Sequence, residues 1–366
     1  MAIALYGATG YTGRLVTDEL IRRGLDVVLG GRDAAKLHRL ADERAPGAAV
    51  RTASIDEPRA LRALLDGCSV VINCAGPFSL AGEAVVEAAV ETGTHYVDST
   101  GEQGYMRTVF ERFSPRAERK GVALVPALGF DYAPGDCIAR LAARGHEPLE
   151  ELELAYAVSS FGASRGTMGS AIEAMTGGDV VYTDGGWRPA PRFVPPTSFD
   201  FPAPIGRKSM AQYPSGEVIT VPRHTQTRRV TSRIAGEALV PLAPLAPVLP
   251  YLMPALALAL RTPLRGLLGE IVGRLPEGPS VYDRRKARFT IVAVARGADG
   301  SIGRGVVRGS DVYGLTAVTL VHGAELMDSD GYDRTGALGP AAAYEPDAFL
   351  NYLGDHGVSW ELAPAG

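Results

Sequence analysis

The chain has few cysteines. Cys68, Cys74 and Cys137 are the three present, an odd number with no C-x-x-C among them. That argues against a disulfide framework and a paired-cysteine zinc knuckle, and a reducing, cytoplasmic setting is expected. Histidine is also sparse. The six histidines are scattered, with no pair at the helical or hairpin spacing of metal ligands, so no metal site is expected. Positive charge is not in excess either: 37 Lys and Arg stand against 41 Asp and Glu, a net charge of −4. A nucleic-acid footprint needs a basic surplus, so no nucleic-acid partner is expected. The chain opens directly on a strand-like apolar run, Ala2-Ile3-Ala4-Leu5, and no signal peptide is expected before the fold.

One stretch lacks charge altogether. Residues 238–260 contain no Asp, Glu, Lys or Arg, and the run is long enough to span a bilayer. Pro241, Pro244, Pro247, Pro250 and Pro254 interrupt it. Prolines at that density remove too many helix hydrogen bonds for a lipid-exposed span. Two readings stay open: an apolar lid or core hairpin, or a segment in peripheral contact with a membrane or lipid surface.

What is present is an ordinary globular mixture, 46 % hydrophobic and 21 % charged over 366 residues, long enough for two domains. The first 125 residues alternate strand and helix patterns. Strands are expected at 3–6, 26–30, 49–54, 69–73, 95–98 and 122–126. Helices are expected at 12–23, 34–44, 57–65, 80–91 and 103–119. Such alternation predicts βαβ units in a doubly wound parallel sheet of Rossmann type, with ligands beyond the carboxyl ends of the strands. After Pro134 the pattern changes to an α+β domain with strands at 151–159, 228–234, 287–295 and 301–308. The tail returns to helix at 312–327 and 346–356. The expected division is 1–133 for the dinucleotide domain, 134–310 for a substrate or dimerisation domain, and 311–366 for helices packing back on the first.

Between the first strand and first helix lies Gly7-Ala8-Thr9-Gly10-Tyr11-Thr12-Gly13, a G-x-x-G-x-x-G turn. Glycines here allow a tight turn and close approach of backbone to a pyrophosphate, and the helix N-terminus then holds the anion. The next strand end decides the nucleotide. An NAD site usually carries an acid roughly 20 residues on. Here Gly30-Gly31 is followed by Arg32 and Asp33, with Lys36 one turn later. A guanidinium grips a 2′-phosphate by bidentate bonds, which predicts NADP(H); the alternative is that Asp33 caps the helix or holds a ribose.

The remaining strand ends supply further candidates. Asn73-Cys74-Ala75-Gly76-Pro77-Phe78 breaks the chain beside the expected ribose, and Phe78 is expected to wall the nicotinamide. His95-Tyr96-Val97-Asp98-Ser99-Thr100-Gly101-Glu102 places two acids at the ligand edge, with Gly101 counted among the cofactor contacts. Asp98 and Glu102 could position substrate or relay a proton, or serve only to cap and brace loops. Asp131 and Tyr132, where the sheet gives way to the second domain, are expected to face the substrate. Tyr282 and Lys286 have the Tyr-x-x-x-Lys spacing of short-chain dehydrogenases, but they lie far downstream of the dinucleotide domain.

G-A-T-G-Y-T-G, G-G-R-D, N-C-A-G-P-F, H-Y-V-D-S-T-G-E and G-F-D-Y-A-P-G-D, in that order, resemble the saccharopine dehydrogenase-like oxidoreductases, and within them the branch that includes trans-acting enoyl reductases. Softer likenesses continue through 164–170, 277–280 and 313–317. The resemblance implies an NADP-binding domain and a second α/β domain supplying substrate contacts and a homodimer surface. Tyr132 and Gly135 depart from that branch, which usually has Ser at the first position and Ser or Thr at the second. Two chemistries are implied: reduction of an activated C=C bond in a hydrophobic acyl or polyketide-like thioester, or C=N chemistry on an amino acid. The apolar run 238–260 favours the hydrophobic substrate. A non-catalytic NADP(H) sensor is the third reading, since no catalytic residue is assigned.

Overall fold

The computed structural model describes residues 1–176, 178–191, 194–236 and 273–363. The chain divides into two compact units, one of residues 1–133 and 313–344, the other of 134–312 and 345–366. The apolar run 238–260 lies outside the described residues. Among the described residues no helix is long and apolar enough to cross a membrane.

The first unit is built on a parallel sheet. Its strands are β1 (Ala2–Tyr6), β2 (Val27–Gly31), β3 (Ala49–Thr52), β4 (Cys68–Asn73), β5 (His95–Asp98) and β6 (Ala123–Val125). Their order is β6-β5-β4-β1-β2-β3, so the winding reverses between β1 and β4. That is the switch point at which such sheets take ligands. β2 and β4 are buried along their whole length, as expected of parallel strands covered on both faces. The helices are α1 (Tyr11–Arg22), α2 (Ala34–Arg44), α3 (Pro58–Leu65), α4 (Phe78–Thr92), α5 (Gln103–Thr108) and α6 (Ser114–Lys120). Local chemistry starts several of them: Asp33 accepts the Lys36 N–H to cap α2, and Pro58 stands in the first turn of α3.

Two features of this unit differ from the sequence expectation. The single helix expected at 103–119 is α5 and α6 joined by a π turn at Val109–Phe113. Pro115 near the start of α6 has no N–H to return to the preceding turn, so the α ladder is interrupted there. The π turn lets Val109, Phe110 and Phe113 all reach the core. The sheet also has a seventh strand, Gly336–Ala337 from the tail, parallel to β6.

The second unit begins within α7 (Tyr132–Ala143), whose residues from Pro134 onward belong to it. It then contributes β7 (Leu149–Ser159), α8 (Arg165–Thr176), β8 (Val180–Thr183), β9 (Gly186–Pro189), β10 (Thr197–Phe201), β11 (Gly206–Gln212), the short helix α9 (Glu217–Thr220), β12 (Val230–Ala235), β13 (Arg288–Gly297) and β14 (Ile302–Ser310). The sheet is mixed: β7 runs parallel to β12 and antiparallel to β13. One side of it packs Val292, Val294 and Val306 with Phe201 and Met210. The hairpin expected across Ala298-Asp299-Gly300 forms, with β13 and β14 paired in register from Arg288↔Ser310 to Arg296↔Ile302.

The tail corrects the expected helical segment 311–366. Helix Val312–Met327 lies beside α1: Arg23 pairs with both Glu19 and Glu325 at 2.7 Å, and Tyr313 meets Tyr11 edge-on at 5.1 Å. Residues 345–366 group with the second unit instead. They end in a strand, Ser359–Ala363, antiparallel to β14. A sheet edge leaves main-chain donors and acceptors unpaired, and this terminal strand satisfies those of β14.

Candidate functional site

Every glycine of the first turn is placed differently. Gly7 has φ +79°, in the left-handed region, and a Cβ there would lie 2.8 Å from the Ala75 nitrogen. Gly13 sits in the first turn of α1 against the loop, where a Cβ would lie 2.7 Å from the Ala8 carbonyl oxygen and closer still to that of Gly7. Gly10 is the N-cap of α1, and no side chain caps that end. The Gly7 and Ala8 N–H groups both donate to the Gly30 carbonyl, at 3.0 and 3.2 Å, tying the loop to β2. Arg14 folds back to donate to the Thr9 carbonyl at 2.8 Å. A helix leaves its first N–H groups without intrahelical partners, and a side-chain-free cap leaves room beside them. That arrangement fits a pyrophosphate at the start of α1, while the Gly10 N–H itself donates to the Gly7 carbonyl at 3.0 Å.

The end of β2 carries two small residues. A Cβ on Gly30 would lie 2.7 Å from a methyl of Leu64 and 3.3 Å from the Leu5 carbonyl oxygen, whereas one on Gly31 would meet only Leu37 methyls at 3.8 Å. Gly31 is buried and Arg32 exposed, and no ion pair engages Arg32 among the described residues. Asp33 is occupied as the α2 cap, and Lys36 lies 3.7 Å from its carboxylate. The exposed guanidinium beside Gly31 fits the 2′-phosphate of NADP(H).

Past β4 and β5 the acids are held inside the protein. Asp98 is fully buried. One of its oxygens accepts the N–H groups of Thr100 and Ala127, each at 2.9 Å, and the other accepts the Tyr96 hydroxyl at 2.7 Å. Tyr96 in turn lies 2.8 Å from the Tyr105 hydroxyl and accepts from Asn73 Nδ2 at 3.0 Å. Burial raises Asp98 to about 6 despite these donors. Asn73 Oδ1 accepts the Ala75 N–H at 2.9 Å, shaping the turn that carries Cys74 and Ala75. This network joins the ends of β4, β5 and β6. Glu102, also buried, accepts the N–H groups of Phe78 and Ser79 at 2.8 Å each; it caps α4 from a distance in sequence. Both acids therefore brace the loops.

Phe78 is not a wall of an open site. It is buried at the start of α4 and packs near Tyr105, ring centroids 5.8 Å apart. The first turn of α4, drawn inward by Glu102, carries it into the core. The Cys74 thiol is pushed up by burial and by Asp98, which leaves it a poor nucleophile. Gly76 and Pro77 complete that turn. Gly101 is exposed and borders Tyr132: a Cβ on it would lie 3.6 Å from the Tyr132 hydroxyl. Asp131 is half-buried at the carboxyl side of β6, and its Oδ1 accepts the Tyr132 N–H at 3.0 Å. Tyr132 itself is buried. Tyr282 and Lys286 lie in the second unit, on helix Val281–Lys286, with the ammonium 3.9 Å from the ring centroid. Tyr282 is 69 % exposed, so the pair is a surface cation–π contact.

The second unit contains a buried polar cluster that spacing did not reveal. Asp136 Oδ1 accepts from Thr220 Oγ1 at 2.6 Å and from His224 Nε2 at 2.9 Å. Glu217, fully buried, accepts a short hydrogen bond from the Tyr156 hydroxyl. Gly135 faces this carboxyl group, and a Cβ there would lie 2.6 Å from the Tyr156 hydroxyl oxygen. The Ser or Thr usual in the similar branch therefore does not fit beside Glu217. Burial, with a smaller contribution from Asp136, raises Glu217 to about 8 against the opposing effect of Tyr156. Folding thus favours its protonated form. The stabilisation is complete below the ordinary value of 4.5 and is lost as pH rises through about 8. Glu217→Gln should flatten the fall in Tm between pH 6 and 9; an unchanged slope in thermal melts would place the pH sensitivity elsewhere.

Signals for these groups were faint. Tyr96 and Asp98 are two apart on a strand, hence on one side of it, and that pairing was legible. Asp136, Thr220 and His224 are brought together only by the fold.

Comparison with known proteins gives the following likenesses. The family model for the saccharopine dehydrogenase NADP-binding domain matches residues 3–125. A Caenorhabditis elegans protein named as lipid droplet localized is 35 % identical over a stretch covering 37 % of this chain and 34 % of that protein; the chain thus spans about a third of that relative. A Mycobacterium tuberculosis protein, Rv2449c, provisionally named a trans-acting enoyl reductase, is 28 % identical over 98 % of this chain and 96 % of its own. Among solved structures, apo saccharopine dehydrogenase (L-Glu forming) from Saccharomyces cerevisiae aligns over 99 % of both chains with a TM-score of 0.60 and 15 % identity, a likeness of fold. The glycine turn, the exposed Arg32 and the matched model together identify residues 3–125 as an NADP(H)-binding domain of the saccharopine dehydrogenase type.

Proposed function

We propose that this protein is an NADP(H)-dependent reductase of a hydrophobic enoyl substrate, an acyl or polyketide-like thioester. The observation that carries the reading is the likeness along nearly the whole chain to a relative provisionally named for enoyl reduction, covering 98 % of this chain. The uncharged run 238–260 supports a greasy substrate. When bound, NADPH supplies a hydride from its nicotinamide. Gly7, Gly10 and Gly13 would admit its pyrophosphate to the start of α1, and Arg32 would hold its 2′-phosphate. Asn73 shapes the turn of residues 74–77 on the ribose side. Asp98 and Glu102 keep the strand-end loops in place. Asp131, half-buried at the end of β6, is the group we assign to substrate contact, with the buried Tyr132 behind it.

The test is NADPH consumption in the presence of trans-2-enoyl thioesters of increasing chain length, beside amino-acid and imine substrates. The expected result is turnover with the enoyl thioesters and a rise in kcat/KM with chain length. Turnover confined to the imine or amino-acid arm would replace C=C by C=N chemistry. Tight NADPH binding with no turnover in any arm would favour a cofactor sensor.

A further inference from the structure

A cavity of about 660 Å³ is lined wholly by residues of the second unit, His224 among them. Its wall includes Arg140 on α7, Leu149 at the start of β7, Tyr182 on β8, and Arg223, His224 and Arg228 on the segment between α9 and β12. Positive groups outnumber negative ones there, since Glu147 is the acid among the residues around it. Glu147 is committed to Arg140, 2.5 Å away.

Several of these groups are fixed before any ligand arrives. Arg223 lies over the Trp187 ring, 4.4 Å from its centroid, and donates to the Ile219 carbonyl. Trp187 is held in turn by its indole N–H, which donates to the Val218 carbonyl at 3.0 Å. A guanidinium held on an aromatic face loses little rotamer freedom on meeting an anion. The His224 ring is clamped at both nitrogens: Nε2 to the buried Asp136 at 2.9 Å, Nδ1 to Thr225 Oγ1 at 3.0 Å. A carboxylate accepts, so Nε2 is the protonated nitrogen. This brace holds the start of the segment that carries Arg228. Arg228 pairs with Glu150 at 3.3 Å, with both side chains more than half exposed. Such a surface pair is weak and is readily exchanged for a ligand's anionic group.

We propose that this cavity binds a small organic anion, a carboxylate or phosphate ester with a short apolar body. Arg223 and Arg228 take the anionic head. Pro148 and Tyr182 pack against the body. His224 is a positioning residue that acts through the segment it braces. The site is built from residues of the second unit alone and does not depend on the reaction proposed above.

The protein contains its own reporter. It has two tryptophans, Trp187 and Trp360, so in the full-length Trp360→Phe chain the emission comes from Trp187, beside Arg223. That chain, saturated with NADP⁺ to fill the nucleotide site, would be titrated at constant ionic strength with inorganic phosphate, hexyl phosphate and hexanoate. The expected result is a saturable change in emission, with hexyl phosphate or hexanoate tighter than inorganic phosphate. Arg228→Ala should weaken that binding by about tenfold, the effect of losing one hydrogen bond to a charged group. Arg140→Gln, checked for an unchanged melting curve, should weaken it less, because Arg140 already has Glu147. Preference for hexyl phosphate assigns a phosphate head, and preference for hexanoate a carboxylate. No saturable response to any probe, or equal affinity before and after Arg228→Ala, would overturn the site. Equal affinity for phosphate and hexyl phosphate would overturn the apolar part of the assignment.

Discussion

Replacing Arg32 by Ala should weaken NADPH binding by about ten- to a hundredfold, the loss of charge-assisted bonds to one phosphate. NADH binding should hardly change. The strand β2 ends in Gly30-Gly31, so no acid stands there to hold a ribose 2′-hydroxyl. Asp33, the nearest acid, accepts the Lys36 N–H as the cap of α2. Lys36 is more exposed than Asp33 and lies 3.7 Å from it, so its contribution to a 2′-phosphate should be smaller than that of Arg32. Lys36→Ala should accordingly cost only a few-fold for NADPH, within the range of an exposed charge. Fluorescence titration of the two reduced cofactors against both variants measures this directly. Equal losses for NADPH and NADH in Arg32→Ala would show that Arg32 shapes the loop without reading the phosphate.

Gly13→Ala should be the most damaging change in the glycine turn, although the three glycines look equivalent in a G-x-x-G-x-x-G string. Its Cβ would press on the carbonyl oxygens of Gly7 and Ala8. These are main-chain atoms, so no side chain can swing aside, and the loop must separate from α1. Overpacking of this kind costs roughly 1–3 kcal/mol, and the separation also opens the turn that receives the pyrophosphate. NADPH affinity should fall by at least about a hundredfold, the combined effect of that strain and lost main-chain bonds. Gly10→Ala is the contrast. A Cβ at Gly10 meets one atom, the Gly7 oxygen at 3.3 Å, which a shift of a few tenths of an ångström relieves. Its cost should be near that of an alanine N-cap, about 1 kcal/mol. Thermal melts and NADPH titrations of the two variants separate these outcomes. A Gly13→Ala protein that binds NADPH like the original would sink the close-packing account.

The strands and helices of the first unit were legible because parallel strands buried on both faces are continuous apolar runs, and their helices begin at Pro58, Asp33 or the glycine turn. The interruption at Val109–Phe113 was not, since apolar residues at this spacing read as one helix until Pro115 is required to complete the ladder. The terminal strand at β14 was equally hidden. Five residues, Ser359–Ala363, acquire a strand's hydrogen bonds only when an open edge is present beside them.

By itself the sequence determined the order of elements, the phosphate turn and the basic group that follows it, because these are local: a turn, a helix start and a strand end lie within a few residues of one another. The roles of the acids were decided by tertiary structure. Asp98 and Glu102 look like reactive carboxylates in the string His95–Glu102, yet each accepts main-chain N–H groups from elsewhere, Ala127 for one and Phe78 and Ser79 for the other. The same holds for Asp136 with His224, 88 residues apart. A buried carboxylate is costly unless donors surround it, and only the folded chain brings those donors in.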